Sequence, residues 1–331
     1  MNVVENLMER GDKLLDKTFL LNASKIGYLL REPTWAPSDT WVSMQDKVCV
    51  VTGANSGLGR VVSTRLAGLG ARVYLLCRDE ERGRRARFEI MNSTQNHDVF
   101  LELVDVSNSD SVGEFVDRFA AKEMRVDVLI NCAGVFKTGR ETTDSGLEVT
   151  FATNTLGPFL LTNLLIPALR RSDAARVLNV SSAAMYFAKL NLDDPQFLRR
   201  PYIAPLAYAE SKRAEVELTR CWSERLQEST VAVHAMHPGW ADTPSAWGAV
   251  PGLAAPVRPL LRTPEQGADT LLWLAVNPRV VEHESGQFWF DRRPRDTHRL
   301  GFGKSNEAER ASFWKLCCDL SGYTPDTAAF H

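Results

Sequence analysis

The run Val48-Cys49-Val50-Val51, followed by Thr52-Gly53-Ala54-Asn55-Ser56-Gly57-Leu58-Gly59, decides the fold. Its first four residues form a short continuous apolar stretch, as in a strand buried on both faces of a parallel sheet. Three glycines then stand where such a strand must turn sharply, and a helical pattern follows through Leu66 and Leu69. A strand, a glycine turn and a helix in that order let backbone N–H groups approach a pyrophosphate at the positive end of the helix dipole. A glycine triplet alone is weak evidence, but in this setting it is a specific signal for a dinucleotide.

The same alternation continues outward. Strand-like runs recur at Arg72–Leu76, Val99–Val104, Val126–Asn131, Arg176–Val180, Val231–Met236 and Gln287–Phe290. Helical patterns lie between them at Ser111–Lys122, Leu156–Arg170 and Ala207–Leu226. Strand and helix in turn specify an α/β protein, a Rossmann doubly wound parallel sheet of about seven strands with helices on both faces. No internal repeat, low-complexity tract or linker divides residues 46–331, which are read as one domain.

Residues 1–45 differ. Val4, Leu7, Met8, Leu14, Leu15 and Phe19 recur at helical spacing, and Ile26, Leu29 and Leu30 repeat the pattern before Pro33 and Pro37 end it. The plainer reading is a helical extension packed on its own domain; the alternative is an amphipathic arm in peripheral contact with a membrane or partner.

Composition narrows the function. The 331 residues are 44% hydrophobic and 24% charged, with a formal net charge of −2. That balance suits a globular protein with a sizeable core and excludes nucleic-acid binding as the main business. Arg82, Arg84, Arg85 and Arg87 form one basic cluster and Arg292, Arg293 and Arg295 another; interspersed acids make both read as solvated surface. Cys49, Cys77, Cys132, Cys221, Cys317 and Cys318 form no C-x-x-C pair and read as reduced thiols, which points to the cytoplasm. The histidines have no metal-like spacing, so no metal site is expected. No stretch of about 18 apolar residues suggests a membrane span. Glu5, Glu9, Asp12 and Asp16 argue against a transit peptide.

Three positions refine the cofactor. Arg78 follows the second strand, where an acid would bind the adenosine ribose; a planar cation there suits a 2′-phosphate, so NADP(H) is expected over NAD(H). Asp105, after the third strand, is placed to bind the adenine amino group. Asn131-Cys132-Ala133-Gly134, after the fourth, provides small residues that let the backbone pass close to the nucleotide.

The chemistry rests on Tyr208 and Lys212, four apart in a helical pattern and so on one helix face. A phenol is a poor acid–base near neutrality, and a neighbouring ammonium favours its phenolate. Ser182 lies just past the fifth strand, at the sheet edge where open α/β folds hold ligands, and can hydrogen-bond a substrate oxygen.

With these residues in place, the chain resembles the short-chain dehydrogenase/reductase family across about residues 46–300. The likeness is carried by Thr52–Gly59, Asn131-Cys132-Ala133-Gly134 (a second Asn is usual where Cys132 stands), Ser182, Tyr208/Lys212 and Pro238-Gly239. Three runs resemble the dehydrogenase/reductase family member 12 subgroup more closely, with retinol-dehydrogenase-like enzymes next: His237–Pro244, Glu265–Thr270 and Asp291-Arg292-Arg293-Pro294. The resemblance implies that Tyr208 is the general acid in reduction and that Lys212 binds the nicotinamide ribose while favouring the phenolate. It further implies that Ser182 holds the substrate oxygen, Asn154 supports a proton relay through water, and Thr243 touches the nicotinamide amide. It also implies homodimers through the helices bearing Asn154 and Tyr208, unless the N-terminal arm blocks that contact.

Tyr186, with Lys189 close behind, is a rival phenol in an expected loop and reads as a pocket or surface residue. Between Gly239 and Gln266 lies an apolar segment with Trp240, Trp247, Leu253, Leu260 and Leu261. It reads either as a lid over a lipophilic carbonyl or alcohol substrate, or as plain packing. The expected function is hydride transfer between NADP(H) and such a small molecule. The alternative is an NADP(H)-binding sensor or interaction protein without turnover.

Overall fold

The computed structural model describes residues 19–243, 258–299 and 301–325. Its centre is an eight-stranded sheet in the order β3-β2-β1-β4-β5-β6-β7-β8. The strands are β1 Val48–Thr52, β2 Arg72–Cys77, β3 Val99–Leu103, β4 Val128–Asn131, β5 Arg176–Val180, β6 Ala232–Met236, β7 Phe288–Phe290 and β8 Arg293–Arg295. β1 through β7 are parallel, and the order reverses between β1 and β4, the switch point where such sheets bind ligands. The apolar runs explain the centre, since every residue of β1, β4 and β5 is buried.

β8 is a strand that the expected seven did not include. It pairs antiparallel with β7 through the two-residue turn Asp291-Arg292, where both residues take positive φ (51° and 56°). Arg-Pro-Arg carries no apolar signal, and Pro294 is tolerated because the strand lies at the sheet edge. The Arg292 side chain is also not solvated. It is only 8% exposed and held by Asp269 at 2.7 Å and by Asp39, because the hairpin turn folds it under the extension.

Helices cover both faces. α1 (Phe19–Ala23) and α2 (Lys25–Arg31) belong to the extension, followed by α3 Gly57–Gly68, α4 Glu80–Thr94 and α5 Ser109–Ala120. α6 spans Val149–Leu169 and is interrupted by a π turn over Ala152–Leu156. α7 is Ala204–Arg225, α8 Pro264–Val276 and α9 Glu307–Ser321. α6 is apolar enough to cross a membrane by composition, yet 89% of that window is buried, so it is a core helix here. Its Phe159 meets Trp222 of α7 and Trp314 of α9, with ring centroids 6.3 and 4.9 Å apart. The C-terminal helix therefore lies against α6 and α7.

The helical pattern from Val4 to Leu15, and Trp247 and Leu253 of the expected lid, lie outside the described residues. Residues 22–31 pack on the domain. The Ala23 carbonyl accepts from Trp240 N at 2.8 Å, and Arg31 reaches Asp291 at 2.8 Å. All six cysteines are free thiols, and all but Cys132 are buried.

Candidate active site

The glycine loop has the shape of a cradle. Gly53 takes φ +65°, and a Cβ there would sit 2.9 Å from Ala133 Cα; a Cβ on Gly59 would meet the Gly53 carbonyl at 2.5 Å. Only glycine lets the β1 and β4 exits and the first turn of α3 close this tightly. Thr52 Oγ1 locks the approach by accepting from both Cys132 N and Ala133 N at 2.9 Å. Asn55, Ser56 and Gly57 are half-buried at the start of α3, whereas Leu58 turns inward against Gly267 of α8. These residues fit a dinucleotide: a strand end, a glycine passage and an open helix N-terminus converge at the switch point.

The flanking cofactor candidates divide. Arg78 is exposed, its Nη1 3.7 Å from Asp105 Oδ2, while Asp79 caps α4 by accepting from Arg82 N. Asp105 Oδ1 is occupied by the Ser107 amide and hydroxyl, at 2.9 and 2.6 Å. The Asn131 side chain does not face the cradle. It is buried and donates to Thr162 Oγ1 and Asn179 Oδ1, tying β4 to α6 and β5. Ala133 and Gly134 remain half-buried along the passage. Pro238 and Gly239 form the turn after β6; Gly239 takes φ +76° and passes over the Arg262 side chain, with Thr243 shortly beyond.

Tyr208 and Lys212 share the inner face of α7. The Lys212 Nζ lies 5.6 Å from the Tyr208 ring centroid and donates to the Val180 carbonyl at 2.9 Å. Gly134 leaves the space in front of that ammonium open, since a Cβ there would meet Lys212 Nζ at 3.4 Å and Asn154 Oδ1 at 3.5 Å. Asn154 sits in the π turn of α6, wholly buried. Its side chain brackets the Val135 backbone, accepting at 2.8 Å and donating at 3.0 Å, and donates to Ser211 of α7 at 3.0 Å.

The two serines after β5 separate cleanly. Ser181 is buried and gives its hydroxyl to the Lys212 carbonyl at 2.7 Å, which fixes α7 to the sheet. Ser182 is half-buried, and its oxygen accepts from Ala184 N at 3.2 Å, so its O–H remains available as a donor. Tyr186 stands on a 3₁₀ turn, Ala183–Phe187, rather than in the expected loop, because Ser182 caps that turn. Its hydroxyl donates to the Asp296 carbonyl at 2.7 Å. It lines a cavity of about 190 Å³ with Ala183, His237, Phe288 and Phe290 and with the polar residues Arg295, Asp296, His298 and Arg299, and Asn22 and Ala23 of the extension also face it.

Sequence reasoning missed several participants. Glu215 lies 2.9 Å from Lys212 Nζ, Ser211 links Asn154 to α7, and His237 Nδ1 accepts from Ala183 N at 3.2 Å. The three-residue spacing of Lys212 and Glu215 was visible in the sequence; that both are buried was not.

Comparison with known proteins agrees with this geometry. The family described as short chain dehydrogenase matches residues 47–252. Dehydrogenase/reductase SDR family member 12 of Bos taurus is 42% identical over 301 residues, covering 90% of this chain and 93% of the relative. Human retinol dehydrogenase 12 is 37% identical, covering 86% and 89%. The crystal structure of an uncharacterized Mycobacterium paratuberculosis protein superposes with a TM-score of 0.69 at 31% identity, covering 87% of this chain and 97% of that one. The chain belongs to the short chain dehydrogenase family, and the fold is that of an oxidoreductase which binds a nicotinamide cofactor.

Proposed function

We propose that this member of the family transfers a hydride between NADP(H) and a carbonyl or alcohol carried on a lipophilic molecule. The observation that carries the reading is the Lys212 ammonium held 5.6 Å from the Tyr208 ring, behind a passage that Gly134 keeps open. When bound, the nicotinamide supplies or accepts the hydride. Ser182 donates its hydroxyl proton in a hydrogen bond to the substrate oxygen, and Tyr208 gives that oxygen a proton as reduction completes. Lys212 stabilises the phenolate left behind. Asn154 fixes Val135 and Ser211, so the passage and α7 keep their separation.

The NADP(H) preference is supported by Arg78, a cation at the end of β2 where an acid would repel a 2′-phosphate. The lipophilic substrate is supported by the apolar residues Trp240, Leu260 and Leu261 in the segment between Gly239 and Gln266. Six free thiols support placing the activity in a reducing compartment.

The test is oxidation of NADPH, followed by absorbance, against aliphatic, retinoid-like and steroid-like carbonyls. Tyr208→Phe is expected to abolish turnover while NADPH still binds, and Tyr186→Phe to leave turnover within a few-fold. Loss of turnover in Tyr186→Phe instead would reassign the acid. Tight NADPH binding without turnover on any carbonyl would favour a sensor.

A further inference from the structure

The α7 face that presents Tyr208 and Lys212 carries a third ionisable group one turn on. Glu215 Oε1 is 2.9 Å from Lys212 Nζ, and the two side chains are 2% and 5% exposed. The other oxygen, Oε2, is closed off from solvent and has no hydrogen-bond partner. A carboxylate in such a place is costly, and packing does not call for one: Ala214, Val216 and Leu218 beside it are core residues. The groups facing the pair are few. Tyr208 lies on the same helix, and Cys132 approaches from the exit of β4 as a neutral thiol, pushed up to about 12 by burial. Among the described residues, Lys212 is the charge whose field acts on Glu215.

Lys212 needs such a partner. A buried ammonium sheds its proton readily, and lysines enclosed without a counter-ion titrate several units below their ordinary range. The Val180 carbonyl offers a dipole and no charge. Resting on the catalytic reading above, we propose that Glu215 is a positioning residue, the built-in counter-ion that keeps the Lys212 ammonium protonated inside the protein. Two of the three Lys212 N–H donors go to Val180 and Glu215, which aims the third at the open passage.

The electrostatics agree with this placement. Burial pulls Lys212 down, but the Glu215 carboxylate, reinforced by the Tyr208 oxygen, outweighs it and leaves the ammonium above its usual range. Glu215 is itself pushed up to about 7 by burial, which its partner only partly offsets. Burial thus favours the protonated acid at Glu215, and the Lys212 ammonium opposes it. Without the carboxylate, burial acts on Lys212 unopposed.

The experiment follows the Lys212 side chain directly, by NMR of ¹³C-lysine-labelled full-length protein between about pH 6 and pH 10. Lys212→Arg identifies the signal by its absence. Wild type is expected to keep the ammonium shift across the range. Glu215→Gln keeps the shape and an acceptor but removes the charge, and is expected to make loss of the proton at least about a hundredfold easier. Glu215→Asp should fall between, and serves as the second variant if Glu215→Gln does not fold. A Lys212 that titrates in either variant as in wild type overturns the proposal, as does a wild-type Lys212 already neutral at about pH 8. The readout does not depend on turnover, so an inactive Tyr186→Phe would overturn the catalytic assignment without touching this result.

Discussion

Arg262 and Asp291 meet in a two-pronged ion pair, Nη1 to Oδ1 at 2.6 Å and Nη2 to Oδ2 at 3.0 Å, with each side chain only 1% exposed. Arg31 adds a third contact to the same carboxylate at 2.8 Å. Arg262 also donates to the carbonyls of Asn22 and Ser24. One carboxylate thus ties together the N-terminal extension, the segment before α8 and the β7–β8 turn. Asp291→Asn would remove the shared negative charge from two buried guanidiniums, and we expect a loss of about 3–5 kcal/mol in urea unfolding. Arg31→Met should cost clearly less, because Arg262 keeps its partner. Equal losses would show that the two cations do not share Asp291 in this way.

Arg78 and Asp105 predict how the cofactor is chosen. Their 3.7 Å pair is exposed on the Arg78 side, and such pairs contribute about 0–1 kcal/mol. A phosphate can therefore take the guanidinium over at little cost. Arg78→Glu is expected to weaken NADPH binding by about 10–100-fold and to leave NADH within a few-fold, as for a lost charge-assisted contact. Fluorescence titration with both cofactors checks it. Preference for NADH in the wild type would overturn the expectation.

How far the sequence could be read follows from which signals are local. β1 and β4 carry apolar runs, Val48–Val51 and Val128–Ile130, and β5 carries Val177-Leu178, so their burial was legible, as were the glycine loop and the Tyr208/Lys212 spacing. β8 was not, because Arg-Pro-Arg becomes a strand only when the Asp291-Arg292 turn folds it onto β7. Arg292 looked solvated because its partners Asp39 and Asp269 are far off in sequence. Asn131 sat in a nucleotide-facing motif, yet its side chain answers to Thr162 and Asn179 across the sheet. In each case a partner distant along the chain decided the outcome.

α9 bears on assembly. Pairing through the helices with Asn154 and Tyr208 was expected unless the N-terminal arm intervened; among the described residues, the C-terminal helix lies on α6 and α7. Its Phe313 is 1% exposed, and Trp314 packs edge-on against Phe159 and Trp222. We expect sedimentation equilibrium to give the mass of one chain. Trp314→Ala should cost about 3–5 kcal/mol, the usual loss for a large buried aromatic. A stable dimer in the wild type would show that a different surface pairs, or that α9 moves aside.

His234 and His237 set the response to mild acid. Both are buried and held neutral, pushed down to about 3 chiefly by burial. Their folded values lie below the ordinary 6.5, so the stability they contribute is present above about pH 6.5 and lost as pH falls toward 3, at about 1.4 kcal/mol per pH unit for each. Glu215 opposes them. Its folded value of about 7 lies above the ordinary 4.5, so its protonated form stabilises the fold as pH falls between those limits. Two losses against one gain leave a net decline of about 1.4 kcal/mol per unit between about pH 6.5 and pH 5. Neither ring nitrogen of His234 has a hydrogen-bond partner, and its ring packs edge-on against Trp289 at 5.6 Å, so replacement by phenylalanine keeps an aromatic ring and loses no hydrogen bond. His234→Phe should therefore flatten the decline, leaving His237 and Glu215 to cancel. Glu215→Gln should steepen it toward the slope of two histidines. Urea unfolding across that pH range checks both. Parallel pH curves for wild type and His234→Phe would show that His234 gains its proton without unfolding.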